Sequence, residues 1–445
     1  MILAIIFLIK CSDMETKWLV KCEPAGPGNY RINGIASLRK HSYVVASTFW
    51  PIDEQPRCIT ADYDENGDLI WYTPYITKGI RASKAIAVRA FPSGIIDVTH
   101  DIYVLAQTTD PIGVERVVLI KYDSLGNANW DKIIEKSKDE ITSTLLNDQL
   151  NNIYIAGWSK HVRVPADIFI AKYRPSGECV WINNFQDPSI EFDSLIFALN
   201  NNGQFLIAGY LIDHEDFFYM IYDSLGKLIN IKKCVTPVQE ILLTDAQIDD
   251  HRNIYLLGGS YSDSSGSDYY IAVYDNNDSL IFEEAYDGPA HLEDIATNVI
   301  VEELSPESLY IYIVGSSENE DSCSEVRTVK YDIAGNELWT KTLKGRKNEP
   351  AIPCLCGPLK IHARTGQDVE YFYIAGSLGD DIFIIKHSTR GFITWFTRYS
   401  TPDALNRLTA FSGYGFAIES RTENTIDAYL GKFGKSEQFG IIRWD

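Results

Sequence analysis

The sequence predicts an all-β fold of about eight similar units, because three short elements recur along its 445 residues. The first element is an apolar strand that opens on Tyr or Phe and in most copies ends on a small residue. Seven intervals between its copies cover 373 residues, about 53 each, close to the period of proteins that use one sheet per repeat. The copies begin at Tyr43, Tyr103, Tyr154, Phe205, Tyr255, Tyr312, Tyr373 and Phe416.

The second and third elements together predict a hairpin in each unit. The second is an apolar strand such as Asp167–Tyr173, which opens on an acidic residue and closes on Lys-Tyr. The third is a turn that leads to an aromatic residue, as in the segment from Asp123 through Gly126 to Trp130. Glycine suits such a loop because it adopts positive φ without the penalty that a Cβ brings, and the turn then fixes the register of the flanking strands.

The apolar runs are nearly continuous rather than alternating, so both faces of each sheet must be covered. Sheets stacked in a ring meet that requirement. We therefore predict a single β-propeller of four-stranded antiparallel blades, with eight blades and seven as the alternative. The inner strand of a blade would be a segment such as Lys84–Val88 or Ser194–Ala198.

The repeat resembles that of bacterial β-propeller repeat proteins. Their units read approximately as Asn-x-Tyr-x-x-Gly followed by Asp-x-Phe-x-x-Lys-Tyr-Asp-x-x-Gly-x-x-x-Trp, and the segments Asn152–Gly157 and Asp167–Trp181 are the closest copy here. The resemblance covers residues 18–433 and implies a propeller fold, commonly with seven blades. It implies almost no chemistry.

The first residues are typical of an export signal. An apolar run, Ile2–Ile9, is far shorter than the ~20 residues of a membrane-spanning helix and is followed by Lys10 and Cys11. A lipoprotein signal, with lipid attached to Cys11, and a simple secretory signal are both open, although Lys10 departs from the small residue expected before a lipidated cysteine. We expect residues 1–17 to be a leader, residues 18–445 to form the propeller, and the protein to be extracytoplasmic, with a lipid anchor if Cys11 is lipidated.

Ring closure has a candidate at the two chain ends. The segment Trp18–Cys22 reads as an outer strand that no inner strand precedes. It can complete a sheet by pairing with the three strands before Phe433, although Gly440–Trp444 could compete for the same edge.

The charge balance limits the partners. With 61 acidic and 40 basic residues the chain carries a formal charge of −21, which repels the phosphate backbone of nucleic acid. We expect no nucleic-acid partner, no cofactor, contact with a membrane only through an N-terminal lipid, and a monomer.

Two kinds of connection alternate in such a blade, and they lie on opposite faces of the ring. One face carries the uniform glycine turns, and the other carries segments that differ from copy to copy. Variable loops on a rigid scaffold are the usual location of binding groups. The candidate binding residues on the second face are Trp50, Trp158, His161, His214 and Tyr261.

The sequence contains no clear metal-binding or catalytic motif. The segment Asp62–Asp68 begins like a calcium loop, but its twelfth position is Thr73 rather than the required Glu. Asp263–Asp268 offers suitably spaced oxygens, for which a solvated loop is the simpler interpretation. The pair Cys354 and Cys356 could hold a metal, but two thiols do not make a zinc site. We expect no metal site, unidentified catalytic residues, and mostly buried thiols.

Three functions from different classes follow from this pattern, and one of them is an assembly or sensor module whose partner is encoded nearby. The first is a noncatalytic binding or scaffold protein that holds a protein or glycan ligand on the variable face. The alternative is a propeller enzyme, such as a hydrolase, a lyase or a quinone-dependent dehydrogenase, because propellers support many chemistries.

Overall fold

The structure is a computed structural model that describes most of the chain. The described residues are 14–38, 42–51, 54–92, 99–137, 141–159, 167–187, 192–211, 216–234, 239–262, 266–305, 308–321, 323–344, 351–359, 371–379, 381–399, 405–412, 415–421 and 426–435. Strands joined by turns and connections make up these residues. No helix among them is long and apolar enough to cross a membrane.

The strands of the described residues pair into eight antiparallel sheets of four strands each. Each of the first four sheets uses four consecutive strands. Sheet I contains β2 (Asn29–Leu38), β3 (Ser42–Trp50), β4 (Arg57–Asp64) and β5 (Leu69–Pro74). Sheet II contains β6 (Ala82–Pro92), β7 (His100–Thr109), β8 (Glu115–Tyr122) and β9 (Ala128–Ser137). Sheet III contains β10 (Ile141–Asn147), β11 (Ile153–Ser159), β12 (Asp167–Tyr173) and β13 (Cys179–Phe185). Sheet IV contains β14 (Phe192–Leu199), β15 (Phe205–Leu211), β16 (Phe217–Tyr222) and β17 (Leu228–Cys234).

Three further sheets follow the same order, and the last one combines the two ends of the chain. Sheet V contains β18 (Gln239–Ile248), β19 (Ile254–Ser262), β20 (Gly266–Tyr274) and β21 (Leu280–Tyr286). Sheet VI contains β22 (Asp294–Ser305), β23 (Ser308–Glu318), β24 (Ser324–Asp332) and β25 (Glu337–Lys344). Sheet VII contains β26 (Ala351–Leu359), β27 (Tyr371–Leu378), β28 (Asp381–Ser388) and β29 (Ile393–Tyr399). Sheet VIII contains β30 (Leu405–Ser412), β31 (Gly415–Arg421), β32 (Ile426–Lys435) and β1 (Met14–Lys21).

The N-terminal strand closes sheet VIII. Strand β1 is antiparallel to β32, with Trp18 opposite Lys432 and Lys21 opposite Tyr429. This strand begins at Met14, four residues before the expected start of the propeller at residue 18. The segment 440–444, which could have competed for this edge, lies outside the described residues, as does most of the expected leader.

The apolar core is divided among the junctions between neighbouring sheets. Leu206 and Tyr219 of sheet IV pack in one cluster with Leu256 and Tyr270 of sheet V, and similar clusters join other neighbours. Strand β16 is buried along its whole length, which explains its continuous apolar sequence. Contacts follow chain order from sheet I to sheet VIII, and β2 contacts both β6 and β30. The sheets therefore form the closed ring of a β-propeller.

The glycine turns have the local geometry that the sequence predicts. In the turn between β8 and β9, Oδ1 of Asp123 accepts hydrogen bonds from the backbone N–H groups of Leu125 and Asn127, both at 2.9 Å. Gly126 has a φ of +81°, in the left-handed region that glycine adopts without steric cost. The segment Asp62–Asp68 is the same kind of hairpin turn, since Oδ1 of Asp64 accepts from Asn66 and Asp68.

The repeated aromatic residue and lysine, where they occur, join a sheet to the next one. Trp71 of sheet I donates from Nε1 to the carbonyl oxygen of Ser124 in sheet II, at 3.0 Å. Lys172 of sheet III donates to the carbonyl oxygen of Ser224 in sheet IV, at 3.3 Å. The indole also packs over the turn glycine of the next sheet, and a Cβ on Gly126 would lie 2.5 Å from Trp71. The most regular residues of the repeat thus form the joints between sheets.

We predict that Gly177→Ala destabilises the protein more than Gly113→Ala. Both glycines have a φ of +86°, so both substitutions carry the left-handed penalty of about 1–2 kcal/mol. A Cβ at position 177 would also lie 2.8 Å from Trp130, whereas nothing lies within 4 Å of a Cβ at position 113. Overpacking typically costs a further ~1–3 kcal/mol. Melting temperatures of the two variants and the unmodified chain measure this difference, and equal losses would show that the indole moves aside freely.

Candidate functional site

Three carboxylates meet between sheets V and VI, on the face that carries the variable connections. Asp268 lies near the start of β20, Asp287 directly follows β21, and Asp294 is the first residue of β22. One oxygen of each lies within 4.8 Å of one oxygen of each of the others. We call these three residues the acidic group.

Strand register explains why residues so far apart in sequence come together. Asp294 is paired with Ser317, at the end of β23, and Asp268 is paired with Ser260, near the end of β19. The connection 287–293 leads from the outer strand of sheet V to the inner strand of sheet VI. All these positions therefore lie at the same end of one junction between sheets.

Burial makes this arrangement electrostatically costly. Asp294 is fully buried, Asp268 is 7% exposed, and the side chain of Asp287 is 31% exposed. Burial raises the pKa of Asp294, and the nearby charge of Asp268 adds to that effect. Its Oδ2 accepts a hydrogen bond of 2.5 Å from the backbone N–H of Gly288. Within the described residues, Oδ1 of Asp294 and Oδ1 of Asp287 have no hydrogen-bond donor.

Polar side chains surround the acidic group. Nδ1 of His291 lies 2.5 Å from Oδ2 of Asp287, and this contact raises the pKa of the imidazole. Arg327 donates to the hydroxyl of Tyr286 at 2.7 Å and lies 3.4 Å from a carboxylate oxygen of Glu325.

Carboxylates on the opposite face differ sharply from the acidic group. Oδ1 of Asp332, in the turn after β24, accepts from the backbone N–H groups of Ala334 and Asn336, and its Oδ2 accepts from the Asn336 side chain. Burial alone would raise the pKa of Asp332, but these hydrogen bonds outweigh it and lower the pKa. The turn carboxylates are thus satisfied within the fold.

The predicted binding residues do not form one cluster with the acidic group. Trp50 is half-buried at the end of β3. Trp158 is in β11 and packs edge-on against Phe192 of sheet IV, with ring centres 5.8 Å apart, so its ring contributes to a joint between sheets. Tyr261 is 46% exposed, next to Ser260 in β19. His161, His214 and the lipidation candidate Cys11 lie outside the described residues.

The cysteines match the sequence expectation in part. Cys22, Cys58 and Cys234 are buried free thiols, whereas Cys179 is exposed and Cys323 is intermediate in exposure. Burial raises the pKa of the Cys58 thiol to about 12, which leaves it unreactive at neutral pH. The side chains of Cys354 and Cys356 lie outside the described set.

Sequence reasoning identified only one member of the acidic group. Asp268 belongs to the oxygen-rich segment Asp263–Asp268, whereas Asp287 and Asp294 follow no recognisable metal-binding spacing. The signal was weak because the three residues belong to different strands and connections. Only the packing of sheet V against sheet VI places them together.

A second buried carboxylate, Asp245, links the inner strands of the same two sheets. Its Oδ2 accepts a 2.9 Å hydrogen bond from the backbone N–H of Val299 in β22, at a bulge in β18. Protein encloses the carboxyl on most sides, although the residue keeps some solvent contact. Burial raises the pKa of Asp245 to about 6, because the hydrogen bonds from Val299 and Ala246 only partly offset desolvation.

Comparisons with known proteins concern the overall fold only. No protein family and no curated protein matches the sequence. The chain is similar to the polysaccharide lyase Uly1, with a TM-score of 0.45 and 9% identity over 93% of this chain and 91% of that one. It is also similar to the WD40 domain of SCAP from fission yeast, with a TM-score of 0.40 and 10% identity over 95% and 98%. It is similar as well to an apocarotenoid oxygenase from Synechocystis, with a TM-score of 0.40 and 11% identity over 87% of this chain and 95% of that one. Likeness at this level gives no information about activity.

We predict that Asp245→Asn changes the pH dependence of stability. A carboxyl whose pKa rises on folding favours the folded state when protonated, and this contribution is lost as pH rises through about 6. The amide cannot ionise, so the variant should gain about 1–3 kcal/mol relative to the unmodified chain between pH 4.5 and 7.5. Denaturant unfolding at both pH values measures the change.

Asp332→Asn is the matched control for this experiment. The fold lowers the pKa of Asp332. Its charged form therefore stabilises the protein at pH values above the pKa of the unfolded chain, and this stabilisation is lost as the pH falls through the lower pKa of the folded chain. The Asp332 variant should therefore be less stable than the unmodified chain by nearly the same amount at pH 4.5 and pH 7.5, unlike the pH-dependent gain of the Asp245 variant. If both variants respond alike, burial of Asp245 is not the cause.

Proposed function

We propose that this protein is an exported, noncatalytic β-propeller binding protein that holds a protein or glycan ligand on the face of the variable connections. Each of the eight sheets is taken as one blade of the ring. The observation that carries the proposal is the acidic group, because buried polar atoms there lack the hydrogen bonds that satisfy carboxylates on the opposite face. Such atoms are rare in folded proteins and commonly mark functional positions.

An exposed aromatic residue at the same end of sheet V supports a ligand contact. Tyr261 adjoins Ser260, which pairs with Asp268, and its ring is 46% exposed. A half-exposed phenol offers both an apolar face and a hydroxyl to a ligand. Ile295, next to Asp294 in sequence, is 44% exposed and adds apolar surface on the same face of the ring.

The repeat itself supports a binding role. Its most regular residues form joints between blades, as Trp71 and Lys172 do. The structural positions are therefore separate from the variable connections, where side chains differ from blade to blade. The export signal expected in residues 1–17 would place this face outside the cytoplasm.

We predict that Tyr261→Ala weakens capture of the ligand at least tenfold. The full chain, immobilised through its C-terminus, is incubated with the envelope fraction of the source cells and with an array of glycans. Bound protein and glycan are quantified against increasing concentrations of soluble full chain. The loss follows from removal of the exposed aromatic contact, and tenfold corresponds to ~1.4 kcal/mol.

Leu225→Ala is the matched control on the opposite face, because Leu225 is 80% exposed in a glycine turn. This variant should capture the ligand as the unmodified chain does. Equal capture by both variants would contradict the proposed face, and no saturable capture of any protein or glycan would contradict the binding role.

A second candidate function, a propeller enzyme, is favoured by one observation. His291 is exposed and contacts the Asp287 carboxylate through Nδ1, the arrangement of a general base and its orienting group. A hydrolase or lyase would use this imidazole. Turnover of a panel of polysaccharides and esters by the unmodified chain, lost in His291→Ala, would favour the enzyme over the binding protein.

A further inference from the structure

We propose that Asp268, Asp287 and Asp294 bind one divalent cation, and that Ca²⁺ is the ion whose preferences their oxygens fit best. The site lies on the face proposed to hold the ligand, so its role in ligand binding rests on the proposed function. The cation itself can be bound and measured in the absence of any macromolecular ligand.

The spacing of the carboxylates suits a single ion. Two oxygens bound to one Ca²⁺ lie at most twice the metal–oxygen distance apart, about 4.6–5.2 Å, since Ca²⁺ binds oxygen at ~2.3–2.6 Å. One oxygen from each member of the acidic group lies within 4.8 Å of the others. Three carboxylates from different strands can therefore contact one ion without rearrangement of the backbone.

Ser317 is an independent observation that points to a ligand. The residue is fully buried, and within the described residues its hydroxyl has no partner in hydrogen-bonding geometry. A Cβ on Gly288 would lie 2.8 Å from Ser317 Oγ and 2.7 and 2.8 Å from the two oxygens of Asp294. The hydroxyl thus faces the Asp294 carboxylate, close enough to favour its ionised form. Hydroxyl and carboxylate oxygens are hard ligands of the kind that Ca²⁺ accepts.

The charges around the acidic group leave room for a cation. Three ionised carboxylates would carry a charge of about −3, and burial of such charges is costly unless they are paired or coordinate a metal. Arg327 lies close enough to attract Asp294, but its guanidinium is bonded to Tyr286 and also lies beside the Glu325 carboxylate. His291 contacts the group through Asp287, and the charges of Asp268 and Asp294 also act on its imidazole. A divalent ion bound by the three carboxylates would offset most of the charge that they carry together.

Equilibrium dialysis of the full chain against Ca²⁺ in 150 mM NaCl tests the proposal. We expect about one ion per chain with a dissociation constant of ~10⁻⁴–10⁻³ M, the range of extracellular calcium modules. Asp294→Asn should weaken this binding at least tenfold, because it removes the buried anionic ligand while keeping the side-chain shape. Ser317→Ala should weaken it by a smaller factor.

Two controls separate this site from general attraction of Ca²⁺ to an acidic protein. Asp332→Asn removes one carboxylate from the same sheet at the opposite face and should leave binding unchanged. Circular dichroism shows whether each variant is folded. If Asp294→Asn fails to fold, Asp287→Asn provides a second test, because Asp287 is at a partly exposed position.

Binding of no Ca²⁺ by the unmodified chain, or equal binding by all folded variants, would overturn the cation site. Neither result affects the capture experiment, which scores a protein or glycan through Tyr261. Conversely, specific Ca²⁺ binding with no captured ligand would support the cation site and contradict the proposed function.

Discussion

The structure depends on burial of both faces of its sheets against neighbouring sheets. No single central core exists among the described residues; apolar clusters instead occupy the junctions, such as the one that joins Leu206 of sheet IV to Leu256 of sheet V. A blade removed from the ring would expose two apolar faces, and the hydrophobic effect opposes that exposure. Ring closure therefore follows from the composition of the strands. The pairing of β1 with β32 completes it, because this pairing supplies the fourth strand of sheet VIII.

The repeat keeps the residues that make these junctions. Glycine allows the positive φ of the turn, and it also leaves space for the indole of the preceding sheet, as at Gly126 beneath Trp71. The lysine of the third strand reaches a carbonyl of the next turn, as Lys172 reaches Ser224. One short motif thus encodes both a hairpin and its attachment to the next sheet. Positions outside the motif are free to differ without loss of the ring.

The carboxylates of the glycine turns and the acidic group hold negative charge differently. On the turn face, carboxylates such as Asp123 and Asp332 accept backbone and side-chain hydrogen bonds that stabilise the ionised form. On the other face, the acidic group between sheets V and VI buries Asp294 and leaves its Oδ1 without a donor. In a chain with a formal charge of −21, three carboxylates placed this closely are unfavourable for folding. This imbalance is the physical basis for assigning function to that junction.

The amino-acid sequence determined the all-β class, the repeat and the glycine turns. It also indicated that the first strand resembles the outer strand of a sheet. These features depend on local patterns of apolar residues and turn residues. It could not determine the acidic group, since Asp268, Asp287 and Asp294 belong to two sheets and no spacing links them. The contact of the Trp158 ring with Phe192 of the next sheet is likewise not readable from the sequence. Which side chains meet is decided by the register of paired strands and by how one sheet lies on the next, and both are properties of the closed ring.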